Sequence, residues 1–368
     1  MADAQSIVQR TVDELVESGA DTGVQVAVYQ DGELVVDAVA GEMDVEAHHP
    51  VTSDTLFFGV SAGKAVTSTL AHVLVEKGVL AYDTPIAEVW PEFAAHGKDK
   101  ATLRHALIHG TGVPAVAGDI TPETIGDWDK VVAGIADMEP WWEPGTKTGY
   151  HAVSYGFIVG EIIRRATGKS LAQALKDEVT GPLGVADDLM FGVPEDKLGR
   201  VASLVEVPPE EPPPAFEIPA DHPMFRTAPA CLQPSCELYN RRDFRTADIP
   251  SGGTMTAKAL AKMYAALLGE VDGVRLVSPE HLAEINSVVT EDVDQVFLVP
   301  MPMKFGYAIR RFDPRPEHTE FGWSGTIGTH ADADPTTGVT FAFLRNRYTA
   351  GDFNSAAKVW EAVAKATA

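Results

Sequence analysis

Ser61 and Lys64 stand three residues apart in the stretch Phe58-Gly59-Val60-Ser61-Ala62-Gly63-Lys64-Ala65. Val66, Leu70, Val73 and Leu74 follow at helical spacing and Gly78 closes the run, so the pair sits at a helix start and shares one face. A serine hydroxyl attacks poorly until a base removes its proton. A desolvated lysine near a helix N-terminus loses pKa and serves as that base or holds one in place. The Ser61 amide N–H, an orphan donor of the helix start, would point at an oxyanion formed there. The alternative is an ordinary helix start, with Ser61 as cap and Lys64 in solvent.

Ser61 also centres Gly59-x-Ser61-x-Gly63, the form of an α/β-hydrolase nucleophile elbow. An elbow needs repeated βα units before it, and only one hairpin precedes residue 60, so this reading is set aside. His105 and His109, four apart on a predicted helix, have zinc-ligand spacing but no following acid motif, so core or capping roles are expected and no metal site is assigned. His48-His49 reads as a surface turn. Gly325-Thr326-Ile327-Gly328 is glycine-rich but has no lysine and a strand context, which argues against phosphate binding.

The elements that must position these residues follow from periodicity. A helix is predicted over residues 5–18, and β-rich runs at 24–29 and 33–39 flank Gln30-Asp31-Gly32, a strong hairpin signal. From residue 81 the pattern changes to short helical patches, of which 153–167 is the clearest, with Gly168 as its stop. Residues 205–222, with Pro208-Pro209 and Pro212-Pro213-Pro214, read as a surface loop or lid. Helices are predicted at 257–268, from Ser278-Pro279-Glu280 and at 354–365, and strands at 304–311, 321–329 and 339–347. Segregated strands and helices favour an α+β antiparallel sheet. The sheet domain is expected to comprise residues 1–80 and 251–368, and a mainly helical lobe residues 81–250.

With 53 acidic against 29 basic residues, the net charge of −24 argues against nucleic acid and anionic membranes as partners. The first residues, Met1-Ala2-Asp3-Ala4-Gln5, lack a basic region followed by an apolar core, and no run is long enough to cross a bilayer; a cytoplasmic protein is expected. Cys231 and Cys236, too few for a stapled scaffold, are a structural or free pair.

Several ordered motifs together make the chain resemble the serine β-lactamase and penicillin-binding-protein superfamily, and within it the class C-like esterases called family VIII carboxylesterases. They are Ser61-Ala62-Gly63-Lys64, the run from Leu103 to Pro114 with His109-Gly110-Thr111-Gly112, Glu143-Pro144-Gly145 before Tyr150-His151-Ala152, and Phe321-Gly322-Trp323-Ser324-Gly325. The resemblance implies a β-lactamase/transpeptidase-like fold, with the site in a groove between sheet and helical lobe. It makes Ser61 the acylated nucleophile and Tyr150 the phenol that shuttles its proton beside Lys64. The oxyanion hole would be the backbone N–H groups of Ser61 and Thr326.

Two departures narrow the substrate. Ala152 stands where β-lactamases carry the asparagine of Tyr-x-Asn, and Trp323 where they carry lysine or histidine. The first removes an amide for an acylamino group and the second a polar contact for a carboxylate, which points to an uncharged acyl ester bound by Trp323, Ser324 and Gly325. His151 would assist proton transfer, touch substrate or orient a loop, and Trp141 and Trp142 would line the acyl pocket or belong to the core. The expected reaction is ester hydrolysis without cofactor or metal, on a small-molecule ester or acyl donor. The alternatives are acyl transfer to an amine or alcohol, and a non-catalytic binding protein on the same fold.

Overall fold

The computed structural model describes residues 3–207, 218–310, 312 and 319–367. Residues 208–217, the centre of the proline-rich stretch expected as a lid, lie outside them.

Helix α1 (Ala4–Glu17) starts where Asp3 accepts from the Ser6 amide, and its Val8, Val12 and Leu15 form one buried stripe. Strands β1 (Gly23–Gln30) and β2 (Glu33–Asp44) form the expected hairpin. Its turn has positive φ at Asp31 and Gly32, 50° and 84°, the twist that suits a two-residue connection. With β3 (His49–Pro50) and the late strands β4 (Val288–Thr290), β5 (Met303–Lys304), β6 (Tyr307–Ala308), β7 (Phe321–Ser324), β8 (His330–Asp334) and β9 (Val339–Arg345), they make an antiparallel sheet. The strand order is β3-β2-β1-β9-β8-β7-β6-β5-β4, so the two ends of the chain meet at the β1–β9 pair.

Both faces of the sheet are covered, so its central strands carry almost no exposed residue. On one face Val24, Val26, Val28, Phe341 and Phe343 pack under α1 and the last helix, α5 (Asn354–Ala366), through Val359, Trp360 and Val363. On the other lies α4 (Ala257–Leu268), capped by Thr256, with Ala27 and Leu344 in the larger core. At about 25 cal/mol per Å² of apolar surface, these two layers supply most of the driving force for joining the distant chain ends.

Helix α2 (Lys64–Glu76), which runs on from the Ser61 turn, packs on β6 and β7, and α3 (Ser154–Thr167) packs against it and ends at Gly168 in the left-handed conformation. Every residue of α2 from Lys64 to Leu74 is buried, so this stretch has no solvent face and its polar side chains must find partners inside. Ser68 bonds Tyr155 at 2.6 Å and Thr69 bonds Tyr307 at 2.8 Å.

Two predicted strands are broken in the structure. The run at 304–311 turns back at Gly306, φ 84°, so that Tyr307 pairs with Lys304. The run at 321–329 stops at Ser324; Gly325 to Gly328 form a turn, closed by the Gly328 amide on the Gly325 carbonyl at 2.9 Å, and β8 returns beside β7 with Ser324 opposite His330. Thr326 therefore sits on a tight turn and not within a strand.

Candidate active site

Ser61 occupies a 3-10 turn, Val60–Gly63, that leads directly into α2. Three residues per turn bring residues i and i+3 into register, and Lys64 Nζ lies 2.9 Å from Ser61 Oγ. Val60 adopts φ 49°, a strained conformation for a β-branched residue, immediately before the serine. The strain is held from both sides. Gly59 donates to the Gly253 carbonyl at 2.7 Å, and Thr329 Oγ1 donates to the Gly59 carbonyl at 2.9 Å. Gly63 is packed so closely that a Cβ there would sit 2.3 Å from the Gly253 nitrogen.

Lys64 is fully buried and its ammonium also reaches the Ser251 carbonyl at 3.4 Å. Tyr150 donates to Ser61 Oγ at 2.8 Å, and Lys64 Nζ lies 5.1 Å from the centre of its ring. Burial pushes the Tyr150 phenol upward, but the Lys64 charge and hydrogen bonding with Ser61, Lys64 and the Trp323 indole outweigh it, so its pKa falls below the ordinary value of 10. Trp323, expected as an apolar wall, thus also acts on the phenol.

The loop bearing Tyr150 is zipped to the segment His109-Gly110-Thr111-Gly112. Trp141 donates to Gly112, Gly145 to Gly110 and Gly149 to His109 through backbone bonds of 2.7, 2.9 and 3.0 Å. Gly112, at φ 81°, allows the close approach, since a Cβ would lie 2.3 Å from the Trp142 carbonyl.

His151 belongs to this scaffold. Its amide donates to His109 Nδ1 at 3.0 Å, its Nε2 bonds Thr111 Oγ1 at 2.7 Å and its Nδ1 the Gly149 carbonyl at 2.5 Å. Burial lowers its pKa to about 4, leaving the ring neutral. Trp142 is buried against Gly149 and His151. Neither side chain lines the cleft: the expected substrate contacts at His151 and Trp142 are replaced by loop-holding ones, because Thr111 and the Gly149 carbonyl take up the His151 ring nitrogens and Trp142 packs against Gly149 and His151. His105 caps its own helix with Thr102, and His109 stacks on Tyr155 at 4.5 Å, so the two histidines do not converge. Cys231 and Cys236 are both free thiols.

Ser61, Tyr150, Ala152, Trp323, Ser324, Gly325 and Thr326 meet in a cleft of about 250 Å³. Its other walls were not legible in the sequence. Phe297 stacks on Tyr150 at 4.9 Å, and Phe58, Met224, Tyr239, Met301 and Phe353 add further apolar surface. These side chains come from segments up to about three hundred residues apart, and no motif marks them.

A serine bonded by both a buried lysine and a tyrosine, set beside the end of β7 in an antiparallel sheet, defines an enzyme of the β-lactamase and transpeptidase class. Comparison with known proteins agrees. The beta-lactamase family profile matches residues 8–365. The esterase/beta-lactamase LipL of Mycobacterium tuberculosis is 32% identical over 343 residues, 88% of this chain and 77% of that protein. A crystal structure of a family VIII carboxylesterase superposes with a TM-score of 0.89 at 30% identity, over 99% of this chain and 98% of the other. A penicillin-binding protein homologue from Caulobacter crescentus does so with a TM-score of 0.86 at 33% identity, over 100% and 98%. The chain belongs to the beta-lactamase family.

Proposed function

We propose that the protein is a carboxylesterase that works through an acyl-enzyme on Ser61. The observation that carries this reading is the pair of short bonds from Lys64 and Tyr150 to one hydroxyl, in a cleft whose remaining walls are mostly apolar. Lys64 favours the phenolate of Tyr150, and the phenolate takes the Ser61 proton as Oγ attacks the ester carbonyl. The carbonyl oxygen, now negative, faces the backbone N–H groups of Ser61 and Thr326; each such donor is worth ~3 kcal/mol in related chemistry. The tetrahedral intermediate then collapses, the C–O bond to the alcohol breaks, and Tyr150 returns its proton to the departing alkoxide. Water repeats the sequence to release the acid.

The ester preference is supported by Trp323 and Ala152, which supply neither a cation for a carboxylate nor an amide for an acylamino group. That LipL carries the name esterase/beta-lactamase and a structural neighbour is a family VIII carboxylesterase is consistent with it. Intact-mass spectrometry after rapid mixing with p-nitrophenyl butyrate tests the mechanism. One butyryl group is expected on the peptide containing Ser61, and none on Ser61→Ala. An adduct on another residue, or full activity in Ser61→Ala, would overturn it.

A further inference from the structure

Behind the cleft wall, Ser324 Oγ lies 2.8 Å from His330 Nδ1, and His330 Nε2 lies 2.8 Å from Asp332 Oδ2. The same carboxylate oxygen accepts from Arg310 Nε, and Arg310, His330 and Asp332 are each almost completely buried. Phe312 and Phe341 cover the imidazole, with ring centres 4.8 and 6.2 Å away. The pairing of β7 with β8 sets Ser324 opposite His330 and Gly322 opposite Asp332, so the sheet register itself builds this chain.

The direction of every bond in it follows from donor and acceptor inventories. Arg310 donates only. The Arg310 charge, with hydrogen bonds from Arg310 and His330, holds the Asp332 carboxyl well below the usual range against the upward pull of burial, so Asp332 accepts only. His330 must therefore carry its proton on Nε2. Burial keeps the ring below its ordinary pKa, hence neutral, and Nδ1 presents a lone pair. Ser324 must give its own proton to that lone pair. The oxygen of this cleft-lining residue then has only lone pairs left to offer.

We propose that the buried Arg310–Asp332–His330 chain locks Ser324 as a hydrogen-bond acceptor, so that the cleft selects acyl groups bearing a neutral hydroxyl or amide N–H and rejects those bearing a carboxylate. Ser324 is the specificity-determining residue, and His330 positions it. The inference rests on the reading of Ser61 as the acylated residue.

The test compares kcat/KM for three p-nitrophenyl esters, of butyrate, 3-hydroxybutyrate and glutarate, the last as its free monoacid. The wild type is expected to favour 3-hydroxybutyrate over butyrate and to disfavour glutarate, each by about tenfold, the factor that one satisfied or one opposed polar contact carries. Ser324→Ala should bring the hydroxybutyrate-to-butyrate ratio close to one, and Ser324→Thr should restore it. His330→Phe frees the Ser324 proton, so the glutarate-to-butyrate ratio should rise about fivefold or more while the hydroxybutyrate advantage disappears. A merely structural role for His330 would lower all three esters in parallel, which would overturn the proposal, as would an unchanged ratio in Ser324→Ala. Should His330→Phe not fold, the Ser324 pair decides alone. Labelling of Ser61 by a fluorophosphonate separates the two ideas: labelling with unchanged ratios sinks the selectivity alone, whereas absent labelling sinks the acyl-enzyme reading beneath it.

Discussion

At the scale of single residues, the site is governed by how one phenol is charged. Tyr150 is an ordinary acid in water, and the buried Lys64, with hydrogen bonds to Ser61 and Trp323, draws its pKa down. Removing the cation by Lys64→Ala takes away the largest opposition to burial, which raises the phenol again and starves the proposed reaction of base. Tyr150→Phe removes the base outright. Each change should lower kcat by on the order of 10²–10⁴, measured with p-nitrophenyl butyrate. The sign of the pH effect also follows. If the Tyr150 phenolate is the base, as proposed, kcat/KM should climb with rising pH along a limb whose midpoint lies below 10, and that limb should move upward in Trp323→Phe, where the indole hydrogen bond is lost. A pH profile identical in Trp323→Phe and wild type would remove the indole from this account. His151→Ala should act differently: it loosens the tyrosine loop, so thermal stability falls by more than the chemistry does.

At the scale of elements, local chemistry and distant packing divide what the chain discloses. The 23–44 hairpin was readable because Asp31-Gly32 dictates its own turn, and α3 and α4 because their apolar stripes and caps lie within one stretch. The turn at Gly325 to Gly328 was not, because its residues continue a strand-like run and only pairing with β8 shows where β7 must end. The same holds for the site: the lysine and tyrosine were marked by motifs, whereas Phe297, Ser251 and the His330 chain reach it only through tertiary contact. Two glycines separate these levels experimentally. Gly63→Ala forces a Cβ against the backbone of Gly252 and Gly253, 2.5 and 2.3 Å away, and must move the Ser251 carbonyl that bonds Lys64. It should cost about 1–3 kcal/mol and reduce kcat/KM further than that loss explains. Gly78→Ala, at φ 69° with open space around it, should cost about 1 kcal/mol and leave kcat unchanged. Parallel losses of stability and rate in the two variants would contradict a special role for the Gly63 contact.

At the scale of the whole molecule, Arg345 ties three separate regions together. On the central strand β9, fully buried, it bonds Asp21 after α1 at 3.2 Å, Asp352 before α5 at 3.3 Å, and the Ile327 carbonyl in the turn that carries Thr326 at 2.6 Å. Arg345→Met keeps much of the volume but strips the counter-charge from two carboxylates. The expected cost is about 3–5 kcal/mol in urea unfolding, with a matching loss of kcat/KM because the Thr326 turn loses its anchor. Asp21 sharpens the prediction. Burial already raises its pKa despite Arg345, and without the arginine it rises further. The folded variant then holds a proton on Asp21 at pH values where the unfolded chain has released it, so the deficit must shrink as pH falls towards the ordinary carboxylate range and widen above it. Asp21→Asn in the Arg345→Met background should recover part of the lost stability, although it destabilises the wild type; simple additivity of the two changes would show that Arg345 acts through the turn alone.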